Sequence, residues 1–161
     1  MLNKSMSTGE LLSWINTANS QGLNGLLRRL ELTIHRQVFL AGPAFDTLEA
    51  RNFELTHVLN PELTSVMRQA YFSRNGQAVD GVIMLDLDTG SHRLKFQVYD
   101  LVMGKKIYGH LITQENEKEE NRSHEVLIKQ ILPILLSEVI KLNEIRETEK
   151  KFQDNFIFDL L

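Results

Sequence analysis

The chain has no cysteine among its 161 residues, which excludes disulfides, thiolate-held metals and a thiol nucleophile. Long hydrophobic runs are missing too. The longest, Ile131 to Leu136, falls far short of the roughly 20 residues a membrane-spanning helix needs. The opening Met-Leu-Asn-Lys-Ser-Met-Ser-Thr lacks the apolar stretch of a secretory signal, so the expectation is a cytoplasmic protein with no membrane partner. Charge of one sign is scarce: 18 Lys and Arg against 21 Asp and Glu leave a net −3, the wrong sign for a domain that binds nucleic acid by neutralising phosphates. His35, His57, His92, His110 and His124 show no metal-ligand spacing. There is no P-loop lysine and no Gly-x-Ser-x-Gly elbow. No metal, cofactor or nucleophile–base pair is indicated, and the expectation is not an enzyme. What is present is 42% hydrophobic residues, enough at this length for one core that buries about 70% of the unfolded chain's surface.

Along the chain, Thr8 reads as the cap of a short helix carrying Leu11, Leu12 and Ile15, with Trp14 near its edge. After a break at Ser20 to Gly22, a second helix places Leu23, Leu26, Leu27, Leu30 and Ile34 on one stripe. Gln37 to Ala41 reads as a short buried strand ended by Gly42-Pro43. Phe53, Leu55, His57 and Leu59 alternate as either an edge strand or an ordered loop would. Asn60-Pro61-Glu62 starts a helix over 61–72 with Leu63, Val66, Met67, Ala70 and Tyr71 as its stripe.

Val82 to Asp88, Ser91 to Met103 and Lys106 to Thr113 form a meander with expected two-residue turns at Thr89-Gly90 and Gly104-Lys105. Counting outward sets Asp86 opposite Arg93, Met84 opposite Lys95 and Val82 opposite Gln97, then Tyr99 opposite His110. One face then carries Ile83, Leu85, Leu87, Leu94, Phe96, Val98 and Leu111. The other carries Met84, Gln97, Tyr99, Tyr108 and His110, and a one-residue slip would exchange them. If helix 61–72 folds over this second face, it adds Tyr71 and Arg68, and aromatics with convergent polar groups make a small-molecule site. A second reading stays open: the face is half of a two-layer core with its polar groups satisfied internally. Arg68, Arg74, Lys95 and His110 favour an organic acid as ligand.

A last helix begins at Asn121 or Ser123, with a wide apolar face over Leu127, Ile128, Ile131, Leu132, Leu135, Val139 and Leu142. Pro133 predicts a kink. Beyond Leu142 the stripe narrows to Ile145, Phe152 and Phe156, interrupted by Glu149, the pattern of a helix that leaves its domain to pair with its copy. The expected division is therefore 1–142 as the domain and 143–161 as an exit helix.

The order of helix pair, strand, helix, three-stranded meander and long helix resembles a GAF domain, as does the segment Gly104-Lys105-Lys106-Ile107-Tyr108-Gly109-His110-Leu111-Ile112. The resemblance implies an α/β (α+β) fold: an antiparallel sheet with the N- and C-terminal helices on one face and a helix- and loop-covered ligand pocket on the other. The closing Glu149-Lys150-Lys151-Phe152-Gln153-Asp154-Asn155-Phe156-Ile157-Phe158-Asp159-Leu160-Leu161 resembles the segment that joins sensor to central and helix-turn-helix regions in PucR/CdaR-type bacterial transcription regulators. That implies a metabolite-sensing, homodimeric N-terminal domain, with DNA bound by the full-length protein and not by these residues. The alternative is a GAF-like module without ligand that serves dimerisation or protein interaction.

Overall fold

In the computed structural model the backbone is described for residues 6–48, 53–73, 78–79, 81–88, 90, 92–115 and 124–160, and side chains for the same segments except 78–79 and 155–160. Helix α1 spans Thr8–Ile34, capped one residue earlier than expected by Ser7, whose hydroxyl accepts from the Glu10 amide at 3.2 Å. The expected break is present within it: Gly22 has φ 68°, a backbone conformation open mainly to glycine. Past this kink Leu23, Leu26, Leu27, Leu30 and Ile34 are all buried, each worth about 2 kcal/mol of transfer free energy.

Strand β1 (Val38–Ala41) is buried along its length. The stretch from Phe53 to Leu59 is an ordered loop holding a 3-10 turn at Leu55–His57, not an edge strand. It is fastened to α1 by the Asn24 side chain, which accepts from the Glu54 amide at 3.0 Å, by an Arg28–Glu54 ion pair at 3.2 Å, and by contact between Glu31 and buried His57. Helix α2 (Pro61–Phe72) starts where expected, with the Asn60 carboxamide oxygen accepting from the Leu63 amide at 2.8 Å. Its inward positions are Met67 and Tyr71, whereas Val66 is partly exposed.

Strands β2 (Ala78–Val79), β3 (Val82–Asp88), β4 (Arg93–Met103) and β5 (Lys106–Gln114) complete an antiparallel sheet of order β1-β5-β4-β3-β2. The register departs from expectation at both hairpins. Asp88 pairs with Arg93 and Asp86 with Lys95, because the first connection takes four residues, 89–92. That shift is even, so it preserves which residues share a face. The expected Asp86–Arg93 contact survives as a diagonal ion pair at 3.5 Å. The second turn is the expected two-residue one, with Met103 opposite Lys106. A register shift then falls between Leu101 and Val102, and the pairing passes over Tyr108 from Val102–Ile107 to Leu101–Gly109. Such a bulge moves every later residue of β5 to the opposite face. His110 therefore opposes Asp100, not Tyr99, and Leu111 opposes Tyr99.

Helix α3 (Glu125–Leu160) starts just past the expected 121–123, which lie outside the described residues, and continues as one helix through Pro133. Helices α1 and α3 pack together on one sheet face against Val38, Leu40, Val82, Tyr99, Leu101 and Leu111. Helix α2 covers the other, against Phe39, Ala41, Ile83, Leu85, Leu87, Phe96, Val98 and Ile112. The fold is thus the expected α+β sheet with its first and last helices on one face, a plan compatible with a GAF-like domain. The assignment of faces is reversed: α2 lies over Ile83, Leu85, Phe96 and Val98, not over Gln97 and Tyr99. Ile128, Ile131, Leu135 and Val139 of α3 are buried and Leu142 is half-buried, after which α3 leaves the domain.

Candidate ligand site

Under α2 the bulge in β5 creates a polar centre in an otherwise apolar layer. The His110 ring, fully buried, has Nδ1 2.7 Å from Asp100 Oδ1 and Nε2 3.0 Å from the Pro43 carbonyl oxygen. Both ring nitrogens face oxygen acceptors, so a proton on either nitrogen has a partner. From α2, the Tyr71 hydroxyl donates to Asp100 at 3.0 Å. Three elements and a loop are thereby joined through one carboxylate: α2 by Tyr71, β4 by Asp100, β5 by His110, and the segment after β1 by Pro43.

Phe45 completes the centre. Its ring stacks on His110 at 4.3 Å with 6° between planes, and meets Tyr71 edge-on at 4.9 Å. It is 1% exposed. Its backbone has φ 61°, a left-handed conformation that costs a bulky residue about 1 kcal/mol and that persists only where the surroundings enforce it. Here a tight turn does so: Phe45 N–H donates to Gly42 O at 2.9 Å and Gly42 N–H to Asp46 O at 2.8 Å. Arg68, on the outer side of α2, donates from Nε to the Ala44 carbonyl at 2.7 Å. Beside it an open cleft of about 340 Å³ runs between this turn and α2, lined by Asp46, Thr47, Leu59, Pro61, Thr64, Ser65 and Arg68.

The residues expected to form one pocket are divided by the sheet. Arg68, Tyr71 and His110 come together on the α2 side. Gln97 and Tyr99 lie on the α1/α3 side, buried, with the Tyr99 hydroxyl donating to Gln97 Oε1 at 2.9 Å and Thr113 donating to the same oxygen at 3.5 Å. Tyr108 is the residue passed over in the bulge, half-buried against the α1/α3 core with Lys106 Nζ 4.6 Å from its ring centre. Met84 is 38% exposed on that same face, where Lys95 is also exposed; Arg74 lies outside the described residues. Of the expected pairing residues, Ile145 and Phe152 are 55% and 73% exposed on the projecting part of α3, and Phe156 lies beyond the last described side chain.

Pro43, Phe45 and Asp100 were not singled out by sequence. Gly109 was the available signal, since a glycine inside a strand marks a bulge or a close approach. Both hold: a Cβ there would sit 2.6 Å from the Ala41 carbonyl oxygen. Among the described residues no group of three or more acidic or imidazole side chains is placed to hold a metal ion, and no helix is long and apolar enough to cross a membrane. No protein-family model matches the sequence, and a search of curated proteins finds no similar one.

Proposed function

We propose that these residues form the ligand-sensing regulatory domain of a cytoplasmic bacterial transcription regulator of the PucR/CdaR type, which binds a small acidic metabolite on the α2 side and pairs with its copy through α3. DNA is bound by another region of the regulator. The observation that carries this reading is the continuity of α3: one rod whose first half packs on the sheet through Ile128, Ile131, Leu135 and Val139 and whose second half exposes Ile145 and Phe152 seven residues apart. That spacing returns both side chains to one face. A ligand that shifts the sheet relative to α1 reaches the pairing seam through this rod, provided it binds one arrangement better than the other.

A second reading, a dimerisation module without ligand, is favoured by the internal use of Gln97, Tyr99 and Thr113, which leaves those groups nothing to offer a ligand. A thermal-shift screen separates the readings, and sedimentation tests the seam they share. A thermal-shift screen over organic acids is expected to yield a stabilising ligand, about 2.7 kcal/mol at 100 times its dissociation constant, and a flat screen favours the module. Sedimentation of the chain with and without residues 143–161 is expected to show a dimer only for the longer form. The same dimer from both removes α3 from either reading.

A further inference from the structure

Two side chains of opposite charge grip Ala44 from its two ends. Arg68 Nε donates to the Ala44 carbonyl at 2.7 Å, and Asp46 Oδ1 accepts from the Ala44 amide at 3.2 Å. Among the described residues Ala44 is the one hydrogen-bond partner of either side chain, and the two do not pair with each other. Gly42 makes room for the carboxylate, since a Cβ there would stand 2.6 Å from Asp46 Oδ1. Both side chains line the open cleft beside α2, with the terminal guanidinium nitrogens and the second carboxylate oxygen uncommitted. A cation and an anion are thereby fixed along one cleft, spaced by the N–Cα–C=O unit of a single residue. A free α-amino acid has that same unit with a full charge at each end. We infer that the cleft takes a small zwitterion of this class, its carboxylate on Arg68 and its ammonium on Asp46.

The other lining groups suit such a molecule. Ser65 lies three residues before Arg68 on the same face of α2 and sets a hydroxyl donor beside the guanidinium. Thr47 adds a hydroxyl to the wall that carries Asp46, and Leu59 and Pro61 supply an apolar part for a short aliphatic side chain. The cleft is open, with Asp46, Ser65 and Arg68 all exposed, so a single ion pair there contributes little. A simple acid meets Arg68 and is repelled by Asp46, and a simple amine meets the reverse. Only a molecule with both charges gains from both walls, and its affinity lies in the millimolar range. The inference rests on the sensor reading and narrows its acid to one that also carries an ammonium group.

The test titrates the amide resonances of Thr47 and Ser65 with L-valine, with isovalerate, which lacks the ammonium, and with isobutylamine, which lacks the carboxylate. L-Valine is expected to shift both resonances saturably and to bind at least about fivefold more tightly than either analogue, the upper range for an exposed ion pair. In Asp46→Asn, whose carboxamide oxygen still accepts from Ala44, L-valine is expected to lose its advantage over isovalerate, which itself binds more tightly once the repelling carboxylate is gone. In Arg68→Gln both acids are expected to weaken while isobutylamine does not. Equal binding of L-valine and either analogue, no saturable shift at Thr47 and Ser65, or an advantage that survives Asp46→Asn overturns the inference. The ranking of the three probes is read on the unaltered chain, so it decides even where a variant fails to fold. An acid that stabilises the chain without moving Thr47 and Ser65 sinks the cleft alone, whereas a flat screen sinks the sensor reading itself.

Discussion

Each face of the sheet buries a tyrosine whose hydroxyl finds a partner, yet the two arrangements differ in reach. On the α1/α3 side Tyr99 donates to Gln97, which also accepts from Thr113 and donates to Glu115 at 3.4 Å; all four stand on, or one residue past, neighbouring positions of β4 and β5. On the α2 side Tyr71 donates to Asp100, which holds His110, which holds Pro43. That set is charged and spans four chain segments. A local network of strand neighbours fills a core without linking distant parts. A charged network that ends on a loop carbonyl couples the position of the loop to the sheet and to a helix, which is the property a switchable site requires.

The most direct way to break this contrast is His110→Ala. Removing the imidazole leaves the Asp100 carboxylate, itself only 23% exposed, and the Pro43 carbonyl without their ring partner. Losing one member of a largely buried pair is expected to cost about 3 kcal/mol, read as a fall in the urea midpoint at unchanged slope. A loss under about 1 kcal/mol would mean that the two faces are energetically alike and that His110 is filler, as Gln97 is.

Much of the fold was legible because its signals are local. The Asn60-Pro61-Glu62 start, the Leu23–Ile34 stripe and the Gly104-Lys105 turn each declare themselves within a few residues, and each stands where expected. The site was less legible because it depends on one long-range fact. A bulge at Leu101/Val102 moves His110 by a single position, and with period-two alternation that is the difference between facing Tyr99 under α1 and facing Asp100 under α2. The two-residue error at the first hairpin did no such damage. Phe45 and Pro43 were beyond reach, since nothing in the local sequence makes a turn after a short edge strand fold back onto a histidine 65 residues further on.

The contrast sharpens if the two hydroxyls are removed separately. Tyr71→Phe deletes a donor to a carboxylate, worth about 2 kcal/mol, and Tyr99→Phe a donor to a neutral carboxamide, worth about 1 kcal/mol. In Tyr99→Phe the amide exchange of Gly42 and Phe45 is expected to stay unchanged, and in Tyr71→Phe to rise, because only Tyr71 belongs to the network that ends on Pro43. Equal losses, or a faster loop in both variants, would join what the sheet is argued to separate.

The smallest expected effect lies at the outer end of the α1/α3 face. Met84 looks from β3 toward the side where α1 and α3 pack, but its 38% exposure, together with exposed Asp86 beside it and exposed Lys95 opposite Asp86, shows that the helices stop short of this strip. Met84→Gln is therefore expected to change unfolding by no more than about 0.5 kcal/mol, the range of an ordinary surface substitution, and to leave amide exchange at Gly42 and Phe45 untouched, because the sheet stands between Met84 and His110. A loss above about 1 kcal/mol would extend the core to β3 on this side, and a change in exchange would mean that the two faces of the sheet are coupled, as an undivided pocket requires.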